Sequence, residues 1–361
     1  MMQTIFNTEK IFKAYFDCRK NKRKTRNALK FEWNFEDNLQ ILLNELSNRT
    51  YVPGESICFV VLEPSVREIF AADFRDRVVH HLLINEIIES AEKHFVYDSF
   101  ACRVNKGTHR AMLRLKDFIR KVTKNSTKEG YYLHLDIKSF FMSIDKGILF
   151  DIYQQFIEKE NMPQKWKEEM FWLGKIIIFH NPTFNCWRKK SLVNKCKVDL
   201  SGSVPFGKSL FDVPSTKGLP IGNYSSQFFA NLYMNKLDQY IKRELKCIFY
   251  IRYVDDLILL DADAKVLTAW QKQIVDCLKY SLNLEINSKK TKIEKIIKGI
   301  DFLGYYLKPT HILVRRKVVE RFKNKIFELN KDDGNLKKIM AVRASFFGHV
   351  KWANARALDT A

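Results

Sequence analysis

Two adjacent acidic residues, Asp255 and Asp256, lie in Phe249-Tyr-Ile-Arg-Tyr-Val-Asp-Asp-Leu-Ile-Leu-Leu260, between two apolar runs of strand length. Strand-like runs on either side of a short polar pair predict a tight hairpin. Like charges flanked by so much apolar surface repel each other and are costly to desolvate. A divalent cation would remove both costs, whereas an ordinary Asp-containing turn would not need one. The metal reading therefore calls for a further carboxylate elsewhere in the chain. Asp136 is the best candidate. It lies in Tyr131-Tyr-Leu-His-Leu-Asp-Ile-Lys-Ser-Phe-Phe-Met-Ser-Ile-Asp145, where Leu133, Leu135 and Ile137 alternate with His134, Asp136 and Lys138, the period of a half-buried strand. A strand-end Asp beside a hairpin carrying two more is a site for hard, oxygen-liking cations such as Mg²⁺. Two such ions about 3.5–4 Å apart can activate a hydroxyl and stabilise the leaving oxygen of an in-line phosphoryl transfer.

The flanking chain must supply the elements that hold these carboxylates. Residues 1–48 place Phe12, Tyr15, Phe16, Leu39, Leu42, Leu43 and Leu46 at helical spacing. Tyr51-Val-Pro-Gly-Glu55 reads as a turn into a strand at Cys58–Leu62. From Val66 a strand gives way to a helix carrying Val78, Val79, Leu82 and Leu83, with Asp76 as its expected cap. A helix over 108–122 sets Met112, Leu115 and Ile119 against Arg110, Arg114, Lys116, Arg120 and Lys121, giving one packing face and one basic face. Helices are expected over 146–179, with a turn near Met162-Pro163. Residues 180–217 read as irregular, and His180, Cys186 and Cys196 there lack a metal-ligand pattern. Gly218, Pro220 and Gly222 mark a turn. Ser225 or Ser226 would cap the next helix, whose apolar stripe is Phe229, Tyr233, Leu237 and Tyr240. After the hairpin come an amphipathic helix (Val266, Trp270, Ile274, Leu278), a strand with a Lys-rich turn over Leu284–Ile293, and a short strand over Phe302–Leu307. Residues 309–361 are basic and helical in period. Strand, helix, hairpin, helix, strand is the pattern of an α+β domain with helices on one face of an antiparallel sheet.

Composition narrows the partner. The 361 residues suffice for two or three packed subdomains. Hydrophobic content of 46% and aromatic content of 13% exclude wholesale disorder. The formal net charge is +21, with a pI near 9.5. An excess this large calls for a polyanion, nucleic acid before an acidic membrane. No apolar run reaches the ~18 residues of a spanning helix, and the start lacks the layout of a signal peptide. The seven cysteines are scattered and never spaced as CxxC, which fits a reducing cytoplasm without disulfides or structural zinc. The run Arg19-Lys-Asn-Lys-Arg-Lys-Thr-Arg26 suits phosphate contact or a solvated loop.

Tyr253-Val-Asp-Asp256 resembles the Tyr-x-Asp-Asp box of reverse transcriptases, and Leu135-Asp-Ile-Lys-Ser-Phe-Phe141 resembles their first catalytic motif. The resemblance continues in order through two fingers motifs (from Val66, and at Phe95–His109), Gly218-Leu-Pro-Ile-Gly222, Asn287-Ser-Lys-Lys-Thr291 and Phe302-Leu-Gly304. It implies a right-hand polymerase fold: a basic N-terminal helical extension (1–48), fingers (49–130), a palm with the catalytic motifs (131–308) and a short helical thumb (309–361). It also implies an RNA-directed DNA polymerase that binds template RNA, primer or cDNA, and dNTPs. Asp136 and Asp255 would then bridge two Mg²⁺ ions, with Mn²⁺ as an alternative. Asp256 shares the motif, and the backbone carbonyl of Ile137 would add a metal contact. Arg67, Arg103, Lys106 and Lys290 would serve the triphosphate, although Arg67 also fits a solvent-facing strand residue. Phe141 would lie under the sugar and exclude a ribose 2′-hydroxyl, or else be a core residue.

Most reverse transcriptases carry Gln-Gly-x-x-x-Ser-Pro at the turn before the long helix. This chain has Ile221-Gly-Asn-Tyr-Ser-Ser-Gln227. That variant, together with Ala71-Ala-Asp-Phe-Arg-Asp-Arg77 and Ser345-Phe-Phe-Gly-His349, resembles the reverse transcriptases of diversity-generating retroelements. The resemblance implies error-prone cDNA synthesis from a template-repeat RNA, errors concentrated opposite adenine, replacement of a variable region in a target gene by mutagenic retrohoming, and a small basic accessory protein as partner. Ile221, Gly222 and Gln227 would then lie near the incoming nucleotide. Two alternatives stand beside it. One is a reverse transcriptase of another bacterial lineage, phage-defence or group II intron-like. The other is a non-catalytic RNA-binding scaffold, against which the intact Asp136, Asp255 and Asp256 argue.

Overall fold

The structure is a computed structural model and describes residues 5–20, 25–63, 65–193, 196–198, 201–331 and 336–354. Residues 21–24 of the basic run, and the Cys196 side chain, lie outside the described residues. Three helices open the chain as the apolar spacing predicts: α1 (Thr8–Arg19), α2 (Arg26–Glu32) and α3 (Phe35–Ser47). Strands β1 (Ser56–Val61) and β2 (Arg67–Ala71) pair antiparallel and lead into α4 (Phe74–His94). The cap of α4 is Asp73, which accepts from the Arg75 N–H at 3.1 Å. Asp76, the expected cap, is buried within the first turn. It accepts from the Tyr51 hydroxyl and the Gly54 N–H, each at 2.9 Å, and so ties down the loop before β1.

Helix α5 (Thr108–Val122) has the expected span. It is followed by β3 (Tyr131–Asp136), the short α6 (Phe140–Ser143), α7 (Lys146–Glu158) and α8 (Gln164–Phe179). The stretch expected to be irregular contains short strands β4 (Cys186–Arg188), β5 (Ser191–Val193) and β6 (Cys196–Val198). Strand β4 is made by parallel pairing with β1, Ser56 opposite Cys186, a distant contact that local periodicity does not encode. Helix α9 (Tyr224–Gln239) begins one residue before Ser225, so Ser225 and Ser226 are buried inside its first turn and do not cap it.

The remaining elements are β7 (Tyr250–Tyr253), β8 (Asp256–Asp261), α10 (Ala264–Leu282), β9 (Lys292–Lys295), β10 (Ile300–Phe302), β11 (Tyr305–Leu307), β12 (Ile312–Val314), α11 (Arg316–Lys331) and α12 (Leu336–Val350). The strand expected over 284–293 is confined to β9. The strand expected over 302–307 is a hairpin, turned by Leu303 at φ 51° and Gly304 at φ 87°. Glycine adopts such positive φ without steric cost.

The chain forms two compact units: Met1–Val96 with Ile137–Gln239 and Cys277–Glu285, and Tyr97–Asp136 with Tyr240–Asp276 and Ile286–Ala361. In the first, α4 buries Val78, Val79, Leu82, Leu83, Ile84 and Ile87 and packs on α1, α8 and α9, beside the sheet β2-β1-β4. In the second, the antiparallel sheet β7-β8-β3-β9 carries α5 on one face. Met112, Leu115, Phe118 and Ile119 of α5 share a core with Tyr132, Ile251, Ile258 and Leu260 of the sheet. Burying that apolar stripe leaves Arg110, Arg120 and Lys121 exposed. Among the described residues, no helix is long and apolar enough to cross a membrane.

Candidate active site

Strand register brings the acidic residues together within the second unit. Strand β3 lies antiparallel to β8 with Asp136 opposite Asp256, and β8 returns antiparallel to β7. The turn between them is Val254-Asp255, with Val254 at φ 59°. Burial pushes the Asp255 carboxyl up to about 6. The charges of Asp136 and Asp256 act in the same direction, while a backbone hydrogen bond and Lys290 oppose them. The turn after α10 clasps Asp136. Lys290 Nζ donates to both carboxylate oxygens at 3.0 Å, Asn287 Nδ2 donates to Oδ2 at 3.1 Å, and the Asn287 N–H donates to the Asp136 carbonyl at 2.7 Å. His134 Nε2 is hydrogen-bonded to Asp256 Oδ1.

Residues 63–307 match the family described as reverse transcriptase (RNA-dependent DNA polymerase). The chain belongs to the reverse transcriptase family. All three aspartates fall inside the matched span. Among curated proteins, the chain is similar to Protein YkfC of Escherichia coli (strain K12), 22% identical over 304 residues that cover 74% of this chain and 71% of that one. Among solved structures, it is similar to telomerase from Candida albicans in complex with a fragment of telomeric RNA, at 11% identity and a TM-score of 0.48, over 73% of this chain and 46% of that one. Apo telomerase from Candida tropicalis aligns at 12% identity and a TM-score of 0.49, over 73% of this chain and 48% of that one. The chain thus spans about half the length of these telomerase chains.

The other residues expected at a reverse transcriptase site fall into two groups. Arg103 and Lys106 belong to the second unit and are engaged within the 97–106 segment. Arg103 Nη1 donates to the Ser99 carbonyl at 2.9 Å. Lys106 Nζ donates to the Tyr97 carbonyl at 2.7 Å and lies over the Tyr97 ring at 3.3 Å. Arg67, Ile137, Phe141, Ile221, Gly222 and Gln227 belong to the first unit. Arg67 is exposed at the start of β2, where its Nε donates to Ser65 Oγ at 3.2 Å. Ile137 follows β3 directly, and its side chain is buried. Phe141 and Ile221 are both half-buried against Cys58, Phe70, Met142 and Leu210. The Ile221 carbonyl accepts from the Phe70 N–H at 2.8 Å. Gly222 has φ +123°, and a Cβ there would lie 3.0 Å from the Phe70 carbonyl oxygen, so the turn's close approach to β2 requires glycine. Gln227 is exposed on α9.

Four residues at the site escaped sequence reasoning: His134, Asn287, Arg252 and Ser99. His134 stands two positions before Asp136 on the same strand, so the alternation that revealed Asp136 places both on one face. Arg252 is a charge between the apolar stretches Phe249-Tyr-Ile251 and Tyr253-Val254, a pattern that signals a buried, hydrogen-bonded partner. Asn287 opens the Asn287-Ser-Lys-Lys-Thr291 turn, but nothing in that motif marks it as a partner of Asp136, and Ser99 carries no signal.

The donor set fits a hard divalent cation. Its atoms are carboxylate oxygens, and Asp255 is raised first by burial and then by the neighbouring charges of Asp136 and Asp256, a combination that a bound cation would relieve. Among the described residues, no three or more His, Cys, Asp or Glu side chains are gathered as a ligand set. Asp136 is engaged by Lys290, and Asp256 by His134.

Proposed function

We propose that the chain is an RNA-directed DNA polymerase that extends a primer along template RNA with dNTPs. The observation that carries this reading is the register of Asp136 opposite Asp256 with Asp255 in the adjoining turn, which sets all three residues at the same end of one sheet. Asp136 and Asp255 would hold two Mg²⁺ ions, or Mn²⁺, with Asp256 and the Ile137 carbonyl alongside. Bound there, such ions lower the pKa of a primer 3′-hydroxyl and neutralise triphosphate charge. The chain's own residues prepare the site. Lys290 neutralises Asp136, and it must release that carboxylate before a cation can take it, which frees its ammonium for phosphate oxygens. The His134 hydrogen bond fixes the Asp256 carboxylate. On the family resemblance, Arg67, Arg103 and Lys106 serve the triphosphate, Phe141 selects the sugar, and Ile221, Gly222 and Gln227 border the nucleotide. The same resemblance supports the division into N-terminal extension, fingers, palm and thumb given above.

The finer reading is that this polymerase serves a diversity-generating retroelement, making error-prone cDNA with a small basic accessory protein as partner. Its support is the Ile221-Gly-Asn-Tyr-Ser-Ser-Gln227 variant. Sequencing cDNA copied from one defined RNA tests it. Errors concentrated at template adenines are expected. A uniform, low error rate with and without the partner favours another lineage.

A further inference from the structure

The hairpin that presents Asp255 has a strained corner with a buried arginine behind it. Val254, at φ 59°, adopts a left-handed backbone that β-branched residues rarely tolerate. Such a corner persists only where its surroundings hold it. Arg252 is 1% exposed. Its Nη1 donates to the Val254 carbonyl at 2.9 Å, and its Nη2 donates to Ser99 Oγ at 3.0 Å. The backbone is fastened to the same segment. The Arg252 N–H donates to the Asp98 carbonyl at 2.9 Å, its carbonyl accepts from the Phe100 N–H at 3.0 Å, and Ser99 forms a parallel bridge with Arg252. That segment is itself anchored, because the Asp98 carboxylate takes Arg114 Nε at 2.8 Å and Lys242 Nζ at 2.9 Å.

A guanidinium is an expensive way to fill a strand interior, and an aliphatic side chain would pack there without the desolvation cost. What the arginine adds is a rigid planar fork, which reaches two acceptors in fixed directions. One of those acceptors is the carbonyl of the residue immediately before Asp255.

We propose that Arg252 is a positioning residue for Asp255. Its fork holds the Val254 carbonyl against the Ser99 hydroxyl, and so fixes the direction in which the Asp255 carboxylate leaves the turn. This rests on the reading of Asp255 as a metal-holding carboxylate. A lysine at 252 keeps the charge but replaces the fork with a point donor, and a methionine keeps the unbranched stem but donates nothing.

The test compares full-length wild type, R252K, R252M, S99A and D255N in steady-state primer extension across a Mg²⁺ titration, with thermal unfolding of each. A loose carboxylate costs the chemical step more than it costs binding. The expected kcat loss is therefore about 100-fold in R252M and about 10-fold in R252K, since a misplacement of roughly 1 Å costs about that much. The dNTP KM and RNA affinity stay near wild type, and the Mg²⁺ midpoint rises. S99A loses kcat by a few fold, measured well below its Tm, and that Tm falls by a few degrees because a buried guanidinium N–H loses its acceptor. If R252M fails to fold, R252K and S99A carry the decision. Wild-type kcat and Mg²⁺ midpoint in both overturn the proposal and leave Arg252 a core residue. D255N separates this from failure of the underlying reading. If D255N is inactive while R252K and S99A match wild type, only the positioning role fails. If D255N itself extends primers normally, the metal-holding role of Asp255 fails with it.

Discussion

Replacing Asp255 with asparagine should stabilise the metal-free protein while it destroys polymerisation. The carboxyl rises from its ordinary 3.8 to about 6, first through burial and then through Asp136 and Asp256. At 1.36 kcal/mol per pKa unit, its ionised form is disfavoured by about 3 kcal/mol in the folded protein relative to the unfolded chain. The sign follows from the direction. A group whose folded pKa is raised contributes stability that is fully present below pH 3.8 and is lost as pH rises through about 6. At pH 8 the charge is therefore a net cost, and Asp255→Asn removes it at nearly constant size. Part of the gain is spent on burying the amide, so the expected increase is about 1–3 kcal/mol, or roughly 2–6 °C in Tm for a chain larger than 150 residues. The assay is thermal or urea unfolding of both proteins with a chelator, at pH 8 and at pH 5. The variant's advantage should be largest at pH 8 and shrink at pH 5, where wild-type Asp255 is mostly protonated. Added Mg²⁺ should stabilise wild type more than the variant. A variant less stable than wild type at pH 8 without metal, or an advantage that ignores pH, would refute the electrostatic reasoning.

Three further outcomes are expected. Phe141→Ala should raise ribonucleotide incorporation if Phe141 selects the sugar. If Phe141 only packs against Phe70 and Met142, the variant should lose stability, up to roughly 3–5 kcal/mol for a fully buried ring, with sugar choice unchanged. Ile221→Gln should reduce misincorporation opposite template adenine while synthesis continues, because Gln supplies hydrogen bonds that Ile lacks. An unchanged error spectrum would leave Ile221 as a packing residue beside Phe70. RNA affinity should fall linearly and steeply on a log–log salt plot, as the net charge of +21 requires if binding releases counterions. A flat plot would assign the basic surface to another task.

The parts of the site that were legible in the sequence are those written in local periodicity. The alternation around Asp136 gave β3, the apolar runs on either side of Asp255-Asp256 gave the hairpin, and the stripe Met112, Leu115 and Ile119 gave α5 over its full span. The misreadings share another cause. Strand β4 is made by pairing with β1, more than a hundred residues earlier in the chain, and a three-residue strand has no period to read. Asp76 and Ser225 are residue types that cap helices, but the cap is whichever residue stands where the backbone turns helical. For α4 that residue is Asp73. The Arg252 fork was invisible for the same reason, since its acceptors are Ser99 and a backbone carbonyl two residues away. Composition can mark a buried charge but cannot name its partner.

The most direct measurement is single-turnover extension of a DNA primer annealed to a defined RNA, with saturating dNTPs and Mg²⁺, comparing wild type with Asp136→Asn and Asp255→Asn while RNA binding is followed in parallel. Carboxylates that hold the reacting ions stabilise charge in the transition state. Each variant should therefore extend slower by orders of magnitude while binding RNA as wild type does. Extension at near wild-type rate by either variant, or a wild type that binds RNA yet adds no nucleotide under any divalent ion, would contradict the assignment of these aspartates to RNA-directed DNA synthesis.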